Sequence, residues 1–208
     1  MTIDWDAIVR AQPALAVIPA ALREAAQLRS FAAGETLFRR GDRPTVMLWV
    51  LDGELRLVRT AIDGSVLILQ RVRSGFIAEA SMEASAYHCD VVAAAAGHLL
   101  RFPLPVFRAV LEQDAAFRQA WMRRLAQEVR KLRAQNERLG LHSAAERILH
   151  YLETEGRDGA VTLTQSRKAW AAELGLSHEV LYRTLRRLRE EGRVRIDGNT
   201  IAWMCQEG

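Results

Sequence analysis

The chain has 208 residues and a formal net charge of +4, enough for one large or two small domains with ample core. An apolar share of 50% fits a globular protein, and the mild positive balance permits an anionic partner without demanding one. Two distant cysteines exclude a disulfide framework and a CxxC metal site. No apolar run is long enough to span a bilayer, and the acidic start MTIDWD is unlike a signal peptide, so a cytoplasmic protein is expected.

Residues 4–28 read as short helices punctuated by Pro13 and Pro19, with Ile8, Val9, Leu15, Val17, Ile18, Leu22 and Leu28 covering one side of the neighbouring strand region. From Phe31 to about Pro103 the pattern turns to short strands, among them VMLWVL, ELRLVRT and SVLILQRV. Gly34, Gly41-Asp42, Asp52-Gly53, Asp63-Gly64 and Gly75 punctuate them. Alternation puts Leu55, Leu57 and Arg59 on one side of a strand and Glu54, Arg56 and Val58 on the other. Asp63-Gly64 is a hairpin signal. Regularly spaced short strands predict a small sandwich or barrel.

Pro103 and Pro105 close the β region, and one long helix is expected from about Val106 to Leu139. Met122, Leu125, Val129, Leu132, Asn136 and Leu139 are spaced alternately three and four apart, the period of a two-stranded coiled coil. Asn136 at an a-type position can pair with its symmetry mate and fix register. The spacing favours a parallel homodimer over a helix packed on its own domain. Gly140 ends the helix, and Ser143-Ala-Ala-Glu146 is a capping box opening the next, so Leu139 to His142 is the expected hinge.

Further on, Ala160 to Leu163 reads as a strand, and Ser166 or Thr164 can cap the helix bearing Trp170. In Trp170–Arg189, WAAELGLSHEVLYRTLRRLR, Gly175 suits a tight turn and Ser177 an N-cap. Val180, Leu181, Leu185 and Leu188 fall on one face of the second helix. His178, Glu179, Tyr182, Arg183, Arg186, Arg187 and Arg189 fall on the other face or its flanks. A packed helix, a Gly turn and an Arg-rich second helix are what a helix-turn-helix needs to enter a major groove. The alternative is two antiparallel helices with a solvated basic face. After Gly192, the runs RVRI and TIAW around Asp197-Gly198-Asn199 form a hairpin, which makes the unit a winged helix-turn-helix.

Together these features resemble the CRP/FNR family of bacterial transcription regulators, over nearly the whole chain. LFRRGDRPTVMLWVLDGELRLV is similar to the family's opening hairpins, and LGLSHEVLYRTLRRLREEGRVRIDGNTI to its helix-turn-helix and wing. The resemblance implies an α+β chain. Residues 1–105 would form a cyclic-nucleotide-binding-like β-roll (a double-stranded β-helix), residues 106–140 a dimerisation helix and residues 141–208 a winged helix-turn-helix. His178, Glu179 and Arg183 would read bases, Glu179 accepting from a cytosine N4 and Arg183 donating to a guanine O6 and N7. Ser166, Arg167, Ser177 and Arg186 would hold phosphates. The implied partners are double-stranded DNA with a palindromic operator, a second copy of the chain, RNA polymerase if the protein activates, and an unknown small-molecule effector, with no membrane.

The family's nucleotide pocket carries Gly-Glu-Leu and, about ten residues on, an Arg-Ser or Arg-Thr pair. Here the stretch is FIAEASMEASAYHCDVVA: Glu79 matches the ribose-binding Glu, Ala78 replaces the Gly, and His88 and Cys89 stand at the Arg-Ser pair. A neutral imidazole cannot replace a bidentate Arg on a cyclic phosphate, so a signal other than cyclic AMP is expected. Glu79, His88 and Cys89 are the candidate effector residues, and no cofactor is expected. The alternative within the family is a haem- or thiol-based gas or redox sensor using His88, Cys89 or His98. Adjacent strand residues point to opposite faces, which weighs against that alternative. No nucleophile–base–acid set or Gly-rich phosphate loop is present, so catalysis is not expected. A ligand-binding module without DNA activity is the reading from a different class.

Overall fold

A computed structural model describes residues 3–60, 66–163 and 165–204. The chain divides into two compact units, residues 1–122 and 123–208.

The first unit opens with α1 (Trp5–Ala11), a 3-10 turn (Pro13–Val17) and α2 (Ala20–Ala25). Leu15, Ile18 and Leu22 are buried, whereas Val17, expected to pack, is exposed. The strands are β1 (Gln27–Phe31), β2 (Thr36–Phe38), β3 (Val46–Val50), β4 (Glu54–Thr60), β5 (Val66–Val72), β6 (Gly75–Ile77), β7 (Asp90–Ala95) and β8 (Gly97–Pro103). They form two antiparallel four-stranded sheets, ordered β1-β8-β3-β6 and β2-β7-β4-β5. Their facing sides bury Phe31, Phe38, Leu48, Val50, Leu55, Leu57, Val91 and Leu99 in one core. Gly53 allows the sheets to close at one corner: its φ is +81°, and a Cβ there would lie 2.5 Å from the Ala96 carbonyl oxygen. The Asp63-Gly64 turn falls outside the described residues.

The structure corrects one expectation and reveals one buried charge. Glu54, on the strand side opposite Leu55 and Leu57, is buried as well. Arg56 and Arg73 each reach its carboxylate at 2.7 Å, which compensates the burial. The expected long helix is two helices, α3 (Leu104–Gln113) and α4 (Ala115–Gly140). Asp114 separates them because its carboxylate accepts from the Phe117 amide at 2.8 Å, offering the backbone a cap in place of continued helix. The start of α4 joins an aromatic cluster in which the Phe76 ring stands edge-on to Trp49, Phe107 and Trp121, at centroid distances of 4.8, 5.7 and 5.0 Å.

The second unit contains most of α4, then α5 (Ala144–Glu155), β9 (Ala160–Thr162), α6 (Arg167–Glu173), α7 (His178–Glu190), β10 (Val194–Asp197) and β11 (Thr200–Trp203). Both bonds of the expected capping box open α5. The strands make a small antiparallel sheet ordered β10-β11-β9. Ile148, Leu149, Leu152, Trp170, Leu174, Leu181, Leu185 and Leu188 form the core of this unit. From α4, Arg138 enters it 1% exposed. Its guanidinium lies 4.5 Å over the Tyr151 ring and donates to Thr154 Oγ1 at 3.1 Å.

Candidate nucleic-acid interface and sensor residues

The candidate interface draws on the N-terminal ends of two helices and on one hairpin. Ser166 caps α6, its hydroxyl accepting the Ala169 amide at 3.2 Å. Gly175 turns the chain at φ +65°, and Ser177 caps α7 by accepting from Val180 at 3.2 Å. Leu181, Thr184, Leu185 and Leu188 anchor α7, so its other face is set in one orientation. His178, Glu179, Tyr182, Arg183, Arg186, Arg187 and Arg189 are all exposed on it. Glu179 and Arg183 are four residues apart on α7 and therefore neighbours on its surface.

Arg167 and Tyr182 tie this face of α7 to the β10–β11 hairpin. The Arg167 guanidinium lies 5.5 Å over the Tyr182 ring and donates to the Gly198 carbonyl at 2.9 Å. The His178 ring meets Tyr182 edge-on at a centroid distance of 4.5 Å. Arg186 sits 3.6 Å from Glu190 in an exposed pair, which contributes little in water and leaves the cation available. Arg167, Arg183, Arg186 and Arg189 line one groove with Glu179, Tyr182 and Ile196 of the wing strand. Helical spacing alone makes Tyr182 a face residue and nothing more. Its partner Arg167 lies on another helix, which no local spacing discloses.

On α4, the seam positions Met122, Val129, Leu132 and Leu139 are 61%, 46%, 60% and 47% exposed, Leu125 is half-buried and Asn136 is exposed. The chain alone therefore leaves an apolar stripe in water.

The candidate effector residues differ in exposure and partners. Glu79 begins a 3-10 turn (Glu79–Ser81) after Ala78, which holds the left-handed conformation at φ +66° where the family's Gly would stand. His88 is exposed, with Nδ1 3.2 Å from Ser81 Oγ. Cys89 is 1% exposed in the core, and burial, with the neighbouring Asp90 charge, pushes its thiol pKa up against the pull of Arg59. His98 is exposed and pairs with Asp52 at 3.1 Å. Among the described residues no three His, Cys, Asp or Glu side chains are grouped to hold a metal ion. Sequence reasoning also missed Tyr87, whose ring stacks on Phe38 at 3.6 Å between the sheets and helps fill the space there.

Residues 28–114 match the family model of the cyclic nucleotide-binding domain. No curated protein matches the chain. A regulatory protein from Silicibacter pomeroyi DSS-3 is 26% identical, over 96% of this chain and 93% of its own, with a TM-score of 0.57. FixK2 from Bradyrhizobium japonicum is 20% identical over 86% and 93%, with a TM-score of 0.62. The catabolite activator protein of Thermus thermophilus is 22% identical over 93% and 94%, with a TM-score of 0.50. A β-roll of the cyclic-nucleotide-binding class is followed along the chain by helices and a hairpin in the order of a winged helix-turn-helix. Residues 28–114 are thus a domain of the cyclic nucleotide-binding type, and the chain shares the fold of these solved bacterial regulators. No helix among the described residues is long and apolar enough to cross a membrane.

Proposed function

We propose that the protein is a cytoplasmic, homodimeric, sequence-specific DNA-binding regulator whose β-roll responds to a signal other than cyclic AMP. The observation that carries this reading is the exposed face of α7, with Glu179 and Arg183 one turn apart on a helix whose opposite face is fixed in the core. In a major groove Glu179 accepts from a cytosine N4, Arg183 donates bidentately to a guanine, and His178 meets the adjoining base. Arg167 and Arg186 meet phosphates. The cap hydroxyls of Ser166 and Ser177 mark the ends of helices whose free amides face the same backbone.

The exposed α4 seam supports the dimer, because pairing removes that stripe from water and two-fold symmetry then places two α7 helices on an inverted repeat. The Phe38–Tyr87 stack and His88 in place of the phosphate Arg support a signal other than cyclic AMP. The burial of Cys89 speaks against the haem and thiol readings. An effector works here by favouring one arrangement of the DNA-binding domains over another, and RNA polymerase is the partner if that arrangement activates.

Selection of bound duplexes from a random pool, with and without cyclic AMP, tests the reading. An inverted repeat with G·C pairs at corresponding positions, enriched equally in both pools, is the expected result. No enriched sequence sinks the DNA reading, and enrichment that depends on cyclic AMP sinks the effector reading.

A further inference from the structure

Arg147 stands in the first turns of α5, where its own helix dipole disfavours a cation. Its guanidinium is spent on other segments. Nε donates to the Leu141 carbonyl at 3.0 Å and Nη2 to that of Leu139 at 3.3 Å, both at the end of α4. Nη1 donates to the carbonyls of Leu174 and Gly175, at 3.3 and 3.2 Å, in the turn of the helix-turn-helix. One planar cation thus satisfies carbonyls at the C-terminal ends of both α4 and α6, where negative partial charge accumulates. The same joint is closed sterically: a Cβ at Gly175 would lie 3.0 Å from Leu139 Cδ2 and 3.1 Å from Arg147 Nη1. Arg138, from the last turn of α4, reaches the other way onto Tyr151 and Thr154 of α5.

We propose that Arg147 is a positioning residue that locks the last turn of α4 to the helix-turn-helix as one rigid piece, so that rotation of α4 is delivered to α7 without flexing at Leu139–His142. Its regulatory meaning rests on the DNA-binding function proposed for α7. A lysine cannot serve the joint, since one ammonium on a flexible stem does not span carbonyls on two helices in fixed geometry.

The test places spin labels at Arg133 of α4 and Arg187 of α7, both exposed, in the full-length chain with Cys89→Ala and Cys205→Ser. Labelled chain is diluted with unlabelled chain, and pulsed electron spin resonance reads the distance distribution within one chain. The parent gives one narrow distribution. Arg147→Gln broadens it at least twofold while the winged domain still unfolds cooperatively, and Arg147→Lys broadens it nearly as much. A distribution as narrow as the parent's in a folded Arg147→Gln protein overturns the proposal. If that variant does not fold, Arg147→Lys decides by the same criterion. The readout needs no DNA: a chain that binds no DNA yet broadens on substitution refutes the DNA-binding reading and keeps the lock.

Discussion

Arg183 is the side chain whose loss should be felt most specifically, because a bidentate guanidinium–guanine pair is lost along with its directionality. Arg183→Ala should cost about 1–3 kcal/mol on the selected site and relax preference at one base pair per half-site. Binding isotherms on the site and on single-base variants check this, and an unchanged preference would move the reading position elsewhere on α7. Glu54 provides a second test at this scale. Its burial raises the carboxyl pKa, but the hydrogen bonds and charges of Arg56 and Arg73 outweigh that and hold it below the ordinary 4.5. A carboxyl with a lowered folded pKa stabilises above its unfolded value, and this stabilisation disappears as pH falls through the folded value. The β-roll should therefore lose stability below about pH 4.5, and Glu54→Gln should flatten that acid limb in urea melts while lowering stability at pH 7. A variant with the parent's acid slope would show that other carboxylates govern it.

Among the elements, α4 carries the proposed assembly. Leu132 is 60% exposed, so Leu132→Asp should leave the folded chain intact while placing two charges against each other in the dimer seam. Light scattering after gel filtration should show monomers at concentrations where the parent is a dimer, with the thermal transition of the isolated fold retained. A variant that remains dimeric would remove Leu132 from the interface. The exposed apolar stripe of α4 is readable in sequence because a 3.5-residue period survives in one dimension. So are the capping box and the Gly175 turn, whose partners lie within a few residues. The break at Asp114 is not readable, since an aspartate on a helix surface and an aspartate capping a new helix look alike in sequence. The burial of Glu54 is hidden because one of its two partners, Arg73, lies 19 residues away across a hairpin. The carbonyls held by Arg147 are hidden for the same reason, two of them being 27 and 28 residues distant.

At the scale of the molecule, the two-fold symmetry of the proposed dimer would turn each side-chain contact into a pair, and salt would make the pairing countable. Neutralising phosphates releases condensed counterions, so log K falls with log salt at a slope of about −0.9 per contact. Arg186 is exposed, two turns further along α7 than Glu179 and only loosely paired with Glu190, and this distance from the helix N-terminus suits it to backbone rather than bases. Arg186→Ala should weaken binding to selected and scrambled duplexes alike. In a dimer it should make the slope shallower by about 2, one contact from each subunit, and a monomer binding alone would lose about 1. Arg183→Ala should change the ratio of selected to scrambled binding far more than the slope. The two variants measured across one salt series therefore separate positioning from reading and report the number of subunits on the operator. An Arg186→Ala protein whose slope is unchanged while its sequence preference shifts would exchange the roles of the two arginines and turn α7 about its axis in the groove.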